Sequence, residues 1–176
     1  MKNLVLIGFM GSGKTAMGRF LMQELQYDFI DTDQEIENVT GLKLNQLLKK
    51  YGEIRFNSEE RLIIQRIHNQ EKLIIATGGN FIHQEENVKL LKQNGIFVFL
   101  KADIETIVAR LSRRKTRPIP EKGNIKEVIP QHYLKKLPLY EKYADVTVDT
   151  SQLSMEETAK IIVKAMRERD EREHLC

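Results

Sequence analysis

The sequence has no tryptophan and a single cysteine, Cys176, at the last of its 176 positions. One thiol cannot close an intrachain disulfide, so the fold does not rest on an oxidising compartment. No apolar run approaches the roughly 20 residues with which a helix crosses a bilayer. The short apolar stretch Leu4-Val5-Leu6-Ile7 leads straight into a glycine-rich turn, with no cleavage-site pattern, and reads as a strand rather than a signal segment. Neither sign of charge dominates: 28 basic and 25 acidic residues give a formal net charge of +3. These charges are dispersed, and no basic tract argues for a nucleic-acid partner. Internal repeats and low-complexity segments are also missing. What remains is a globular composition, 41% hydrophobic and 30% charged, of a length that suits one domain. The expectation is a cytoplasmic monomer with neither membrane nor nucleic acid as partner.

Strand-like apolar runs alternate with helical patterns. Leu4–Ile7, Phe29–Asp31, Leu73–Ala76, Ile96–Leu100 and Val146–Val148 have the length and branching of buried strands. A helix is expected from about Thr15 to Gln26, with Met17, Phe20, Leu21 and Leu25 on one face. From Gln34 to about His68 the pattern is helical, with interruptions near Gly41 and Gly52. A last helix starts near Ser154, where Ser154-Met155-Glu156-Glu157 has capping-box spacing. Continuous apolar strands separated by helices imply an α/β fold, a parallel sheet covered on both faces.

Gly8-Phe9-Met10-Gly11-Ser12-Gly13-Lys14-Thr15 meets the pattern G-x-x-x-x-G-K-[ST] in full, between a strand and a helix. Glycines let the backbone curl so that successive N–H groups point at a phosphate. The following helix adds its positive N-terminal end. Lys14 supplies a charge for the β- and γ-phosphates of ATP, and the Thr15 hydroxyl a ligand for Mg²⁺.

Asp31-Thr32-Asp33 ends the second strand, where ligands of parallel sheets collect. One carboxylate can hold a metal-bound water and the other accept a proton from an attacking hydroxyl. The competing role for Asp33 is to cap the helix that begins at Gln34. Thr77-Gly78-Gly79 follows the third strand, and paired glycines there let a substrate approach the backbone. Ser112 to about Gly123 is basic and poor in apolar residues, and reads as a mobile loop. Within it, Arg117 has the chemistry to neutralise charge on a transferred phosphoryl group.

Jointly, these motifs resemble the shikimate kinases, small P-loop kinases of the nucleoside-monophosphate-kinase type. The likeness runs from Met1 to about Met166 and is also carried by Gly52-Glu53-Ile54-Arg55-Phe56, Thr116-Arg117-Pro118, Pro138-Leu139-Tyr140 and Ala144-Asp145. The resemblance implies a three-layer α/β/α sandwich with a five-stranded parallel sheet in the order 2-3-1-4-5. It implies one kinase domain, with a core over 1–31, 62–111 and 125–166, a substrate region at 32–61, a lid at 112–124 and a charged tail at 167–176. The implied activity is transfer of the γ-phosphoryl group of ATP to the 3-hydroxyl of shikimate, with Mg²⁺, in aromatic amino-acid biosynthesis. Gly11, Ser12, Gly13, Lys14, Thr15, Ala16, Arg110, Arg117 and Gln152 would meet the nucleotide, and Thr15 and Asp31 the metal. Asp33, Asn57, Gly78, Gly79 and Lys136 would meet the acceptor, and Lys14, Asp33 and Arg117 would act in catalysis.

Three positions depart from the family pattern, all on the acceptor side. Asn57 stands where the family has an arginine after the phenylalanine, Asn80 where it has a third glycine, and Lys136 where it has an arginine two residues before the proline. An arginine fork binds a carboxylate in bidentate fashion, which neither Asn nor Lys reproduces. A hydrogen bond to a charged group is worth roughly 1.5–3 kcal/mol. Asn57 would therefore weaken carboxylate binding on the order of ten- to a hundredfold. Two readings follow: shikimate held by Lys136 with Arg55 or Arg61, or a different polyol or cyclitol. A nucleotide-binding regulator without turnover is a third reading from another class.

Overall fold

The computed structural model describes residues 2–113 and 124–174, with side chains as far as Arg169. The expected lid residue Arg117 and the terminal Cys176 lie outside the described residues. Five strands form the sheet: β1 (Asn3–Ile7), β2 (Asp28–Asp31), β3 (Leu73–Ala76), β4 (Gly95–Lys101) and β5 (Val146–Asp149). All neighbours pair in parallel, in the order β2-β3-β1-β4-β5, as the sequence led us to expect.

Seven α-helices accompany the strands among the described residues: α1 (Lys14–Leu25), α2 (Thr32–Thr40), α3 (Leu44–Ile67), α4 (Glu85–Lys92), α5 (Ile104–Ser112), α6 (Ile125–Tyr143) and α7 (Met155–His174). The two-residue period of a strand sends alternate side chains to opposite faces. On β1, Leu4 and Leu6 join a core with Met17 and Leu21 of α1 and Ala159, Ile162 and Met166 of α7. Val5 and Ile7 join the other core, with Ile64 of α3, Leu91 of α4 and Tyr140 of α6. The four apolar β1 side chains, Leu4 to Ile7, are fully buried, which is why the strand reads as an unbroken apolar run. Burying each one stabilises the fold by roughly 1.5–3 kcal/mol.

Glycine sets the breaks in the helical stretch after β2. Gly41 ends α2 in the left-handed region, φ 66°, and its N–H bonds Glu37 O. Gly52 sits at φ 77°, ψ −179°, and splits α3 into two helices at an angle. The last helix starts as its spacing predicts: the Ser154 N–H donates to Glu157 Oε2 at 2.8 Å, and the Glu157 N–H to Ser154 Oγ at 3.1 Å.

Candidate active site

The turn from β1 into α1 is built by glycines with positive φ. Gly8 lies at φ 147°, Gly11 at 81° and Gly13 at 99°. Gly8 also has no room for a side chain, since a Cβ there would stand 2.7 Å from Leu100 O and 2.8 Å from Ser12 Oγ. Lys14 folds back over this turn and donates to Gly8 O at 2.7 Å and Phe9 O at 3.1 Å. Ser12 Oγ is buried with no hydrogen-bond partner. A buried orphan hydroxyl beside a curled loop and a helix N-terminus fits a phosphate, whose oxygens accept such donors.

Thr15, in the first turn of α1, donates from Oγ1 to Asp31 Oδ2 at 2.6 Å. A hydroxyl and a carboxylate side by side form the hard oxygen set that Mg²⁺ takes together with phosphate oxygens. The other Asp31 oxygen caps α2, accepting from the N–H groups of Asp33 at 3.1 Å and Gln34 at 3.3 Å. The capping role weighed for Asp33 therefore belongs to Asp31, and α2 begins at Thr32 rather than Gln34. That leaves the Asp33 side chain, 8% exposed, to line the cleft.

Arg110 of α5 spans the far side of the turn. Its guanidinium donates to Gly11 O at 3.3 Å, Ser12 O at 3.4 Å and Thr150 O at 3.4 Å. Gln152 is exposed two residues beyond Thr150, and Ala16 is exposed in the first turn of α1. Ala16 stands at the glycine turn itself, and Gln152 follows the Thr150 carbonyl to which Arg110 ties that turn.

The turn after β3 forms the opposite wall. The Gly78 N–H donates to Thr32 Oγ1 at 3.0 Å, locking this turn onto α2. A Cβ at Gly78 would collide with the Asp33 carboxylate and stand 3.3 Å from Glu60 Oε1. Lys136 of α6 reaches the same turn, donating from Nζ to Gly79 O and to Asn80 Oδ1, both at 2.8 Å. Burial holds its ammonium below the ordinary lysine range. Asn80, which replaces an expected glycine, thus anchors the lysine that replaces an expected arginine.

Between these walls lies a cleft of about 560 Å³, at the carboxyl ends of β1, β2 and β3. It brings together Gly11, Gly13, Lys14, Thr15, Asp31, Asp33 and Gly79. Asn57 is half-buried on α3 and is not among the described residues that line the cleft. Neither arginine weighed as its replacement is free: Arg55 pairs with Glu59, and Arg61 pairs with Glu86 at 2.5 Å. The sequence placed a substrate region at 32–61 but did not single out Leu44, Leu48, Lys49 and Phe56, the α3 residues that line the cleft. It also missed Glu60, fully buried within an otherwise polar helical stretch. The spacing of three residues between Asn57 and Glu60 was the available signal, because it puts both on one helix face.

Comparison with known proteins agrees with this geometry. The shikimate kinase family model matches residues 10–167. A shikimate kinase of Pelotomaculum thermopropionicum is 43% identical over 168 residues, covering 96% of this chain and 97% of the relative. One of Thermodesulfovibrio yellowstonii is 42% identical over 164 residues, covering 93% and 94%. The solved structure of an Acinetobacter baumannii shikimate kinase in complex with shikimate superposes with a TM-score of 0.89 at 33% identity, covering 96% of this chain and 94% of that one. The chain belongs to the shikimate kinase family.

Proposed function

We propose that the protein transfers the γ-phosphoryl group of ATP to a hydroxyl of shikimate, with Mg²⁺ as the metal. One observation carries the proposal: a glycine turn with Lys14 and Thr15 faces a buried Asp33 and the Gly79 backbone across a single cleft. ATP supplies the phosphoryl group and Mg²⁺ neutralises its oxygens. The rest is positioning, since phosphoryl transfer asks for an oriented nucleophile more than a strong base.

In this reading Lys14, released from Gly8 O, holds the terminal phosphates beside the N–H groups of Gly11, Ser12, Gly13 and Ala16. Thr15 and Asp31 would hold the metal. Arg110 and Gln152 border the base. Asp33 accepts a hydrogen bond from the attacking hydroxyl and takes its proton as the new oxygen–phosphorus bond forms, while the bond from the γ-phosphorus to the β–γ bridging oxygen breaks and ADP leaves. Gly78 and Gly79 let the acceptor ring approach the backbone, and Lys136 is the cation for its carboxylate. Arg117, outside the described residues, would be a further cation for the phosphates. On the same reading the unit is a single kinase domain, acting as a cytoplasmic monomer, whose cleft is lined by the end of β2 and by the turns and helices that follow β1, β2 and β3.

The second reading, a polyol or cyclitol kinase on the same scaffold, is favoured by Asn57 standing outside the cleft lining with Arg55 and Arg61 already paired. A coupled ADP-release assay with shikimate, quinate, gluconate and neutral cyclitols separates the two. Shikimate is expected to turn over fastest. Turnover of a neutral cyclitol with none of shikimate would replace the acceptor and keep the reaction class.

A further inference from the structure

The inference deepens the proposed function and rests on it. Glu60 is fully buried, and neither of its carboxyl oxygens meets a partner at full hydrogen-bond geometry, although the Asn87 side-chain amide acts on the carboxyl. Its Oε1 lies beside Gly78, on the side where the Asp33 carboxylate also lies, so the two acids share the flank where Gly78 has no side chain. The cations within reach are committed elsewhere. On its own helix, Arg55 is paired with Glu59 and Arg61 with Glu86 of α4. Lys136 of α6 is held by Gly79 O and Asn80 Oδ1. From α2 it faces the charge of Asp33, and from α4 only the neutral amide of Asn87. One helical turn back on the same face stands Asn57, which brings no charge.

We propose that Glu60 is a positioning residue, a neutral carboxyl beneath the acceptor end of the cleft whose ionisation expels a carboxylated acceptor. A buried acid with no counter-charge keeps its proton, because desolvation and a neighbouring carboxylate both disfavour the anion. Those two causes push Glu60 up from 4.5 to about 8, against a small opposing effect of Asn87. While Glu60 is neutral, the Gly78–Asn80 turn presents the Lys136 ammonium against the single charge of Asp33. Once ionised, Glu60 adds a second carboxylate charge to that of Asp33 at the Gly78 flank, and an anionic acceptor is repelled there. An arginine at position 57 would supply the missing charge, so in this chain Asn57 creates the gate.

The test has one arm that needs no substrate. In protein labelled with ¹³C at glutamate side chains, the Glu60 carboxyl, assigned by its loss in Glu60→Gln, is expected to titrate with a midpoint near 8. Asn57→Arg is expected to move that midpoint down toward the ordinary range. A midpoint near 4.5 in the parent protein would overturn the proposal. In the second arm, KM for shikimate is expected to rise about tenfold from pH 7 to pH 9 in the parent and to stay flat in Glu60→Gln. An equal rise in both would assign the alkaline loss to Lys136 and overturn the gate. No shikimate turnover at any pH, with the Glu60 midpoint still near 8, would reject the acceptor and with it a gate defined on a carboxylate, a signature unlike the other two.

Discussion

At the scale of single residues, the acceptor side of the cleft is unevenly charged. Asn57 contributes no cation and its neighbours are paired. Asn57→Arg is therefore expected to lower KM for shikimate ten- to a hundredfold with little change in kcat, roughly the worth of a hydrogen bond to a charged group. Steady-state kinetics at fixed ATP checks this; an unchanged or raised KM would point to a pocket shaped for another ligand. Glu60 gives a second prediction, on stability. Its carboxyl titrates at about 8 when folded and near 4.5 as a free side chain. Between those values the folded chain keeps a proton that the unfolded chain has released. Stability from this group is thus fully present below pH 4.5, falls as pH rises, and is lost above about 8. Glu60→Gln removes that dependence, so its advantage over the parent in urea unfolding should grow from pH 5 to 8 and reach up to about 5 kcal/mol. An advantage that does not change with pH would contradict the buried neutral state. The glycine turn carrying Lys14 and Thr15 was legible because its spacing and its positive-φ glycines are local properties of the sequence. Glu60 was marked only by sharing a helix face with Asn57, Phe56, Ile63 and Ile64; that this face packs against the Gly78 turn is a tertiary fact with no local signal.

Among the elements, α3 is the one whose shape most affects the cleft. Its break at Gly52 adopts φ 77°, ψ −179°, a conformation that residues with a Cβ rarely reach. A Cβ there would meet nothing within 4 Å, so the cost of Gly52→Ala is conformational rather than steric. It is expected to destabilise the fold by roughly 1–3 kcal/mol. Because Gly52, Leu48 and Phe56 line the acceptor side, it should also raise KM for the acceptor while nucleotide affinity stays constant. Urea unfolding and calorimetry with Mg·ADP measure both effects, and a matching loss of nucleotide affinity would argue against a separate acceptor wall. Strand runs and glycine breaks were readable because each has a local cause, in side-chain period or in φ. Helix α6 was not, since Pro130 and Pro138 lie inside it and its helical path depends on packing of Tyr133 and Tyr140 into the core. The Ala144-Asp145 pair stood out in the sequence beside catalytic motifs, yet its work is structural. Asp145 Oδ2 accepts from Lys92 Nζ at 2.6 Å and the Phe97 N–H at 2.8 Å, while Arg169 donates to its carbonyl at 2.7 Å, tying α4, β4 and α7 to the start of β5.

For the whole molecule, the two halves of the cleft draw on different parts of one sheet. The nucleotide side is fixed by β1 and α1 and braced through Arg110 to Thr150 past the end of β5. The acceptor side is fixed by α2, α3 and α6 around the turn after β3. A ligand that binds only the folded chain stabilises it by about 2.7 kcal/mol at a hundred times its Kd. In a domain of this size that raises Tm by about 5–10 °C. Mg·ADP is therefore expected to give one such increment and shikimate a second, read by scanning calorimetry. Lys14→Ala should lose the first increment and keep the second. Asp33→Asn should lose the second and keep the first. This selectivity requires each half to be prebuilt on the sheet, as the locked Gly78 turn and the Thr15–Asp31 contact suggest on the two sides. A Lys14→Ala protein that also fails to gain from shikimate would show instead that the acceptor wall forms only around bound nucleotide, and the halves would then have to be treated as one coupled site.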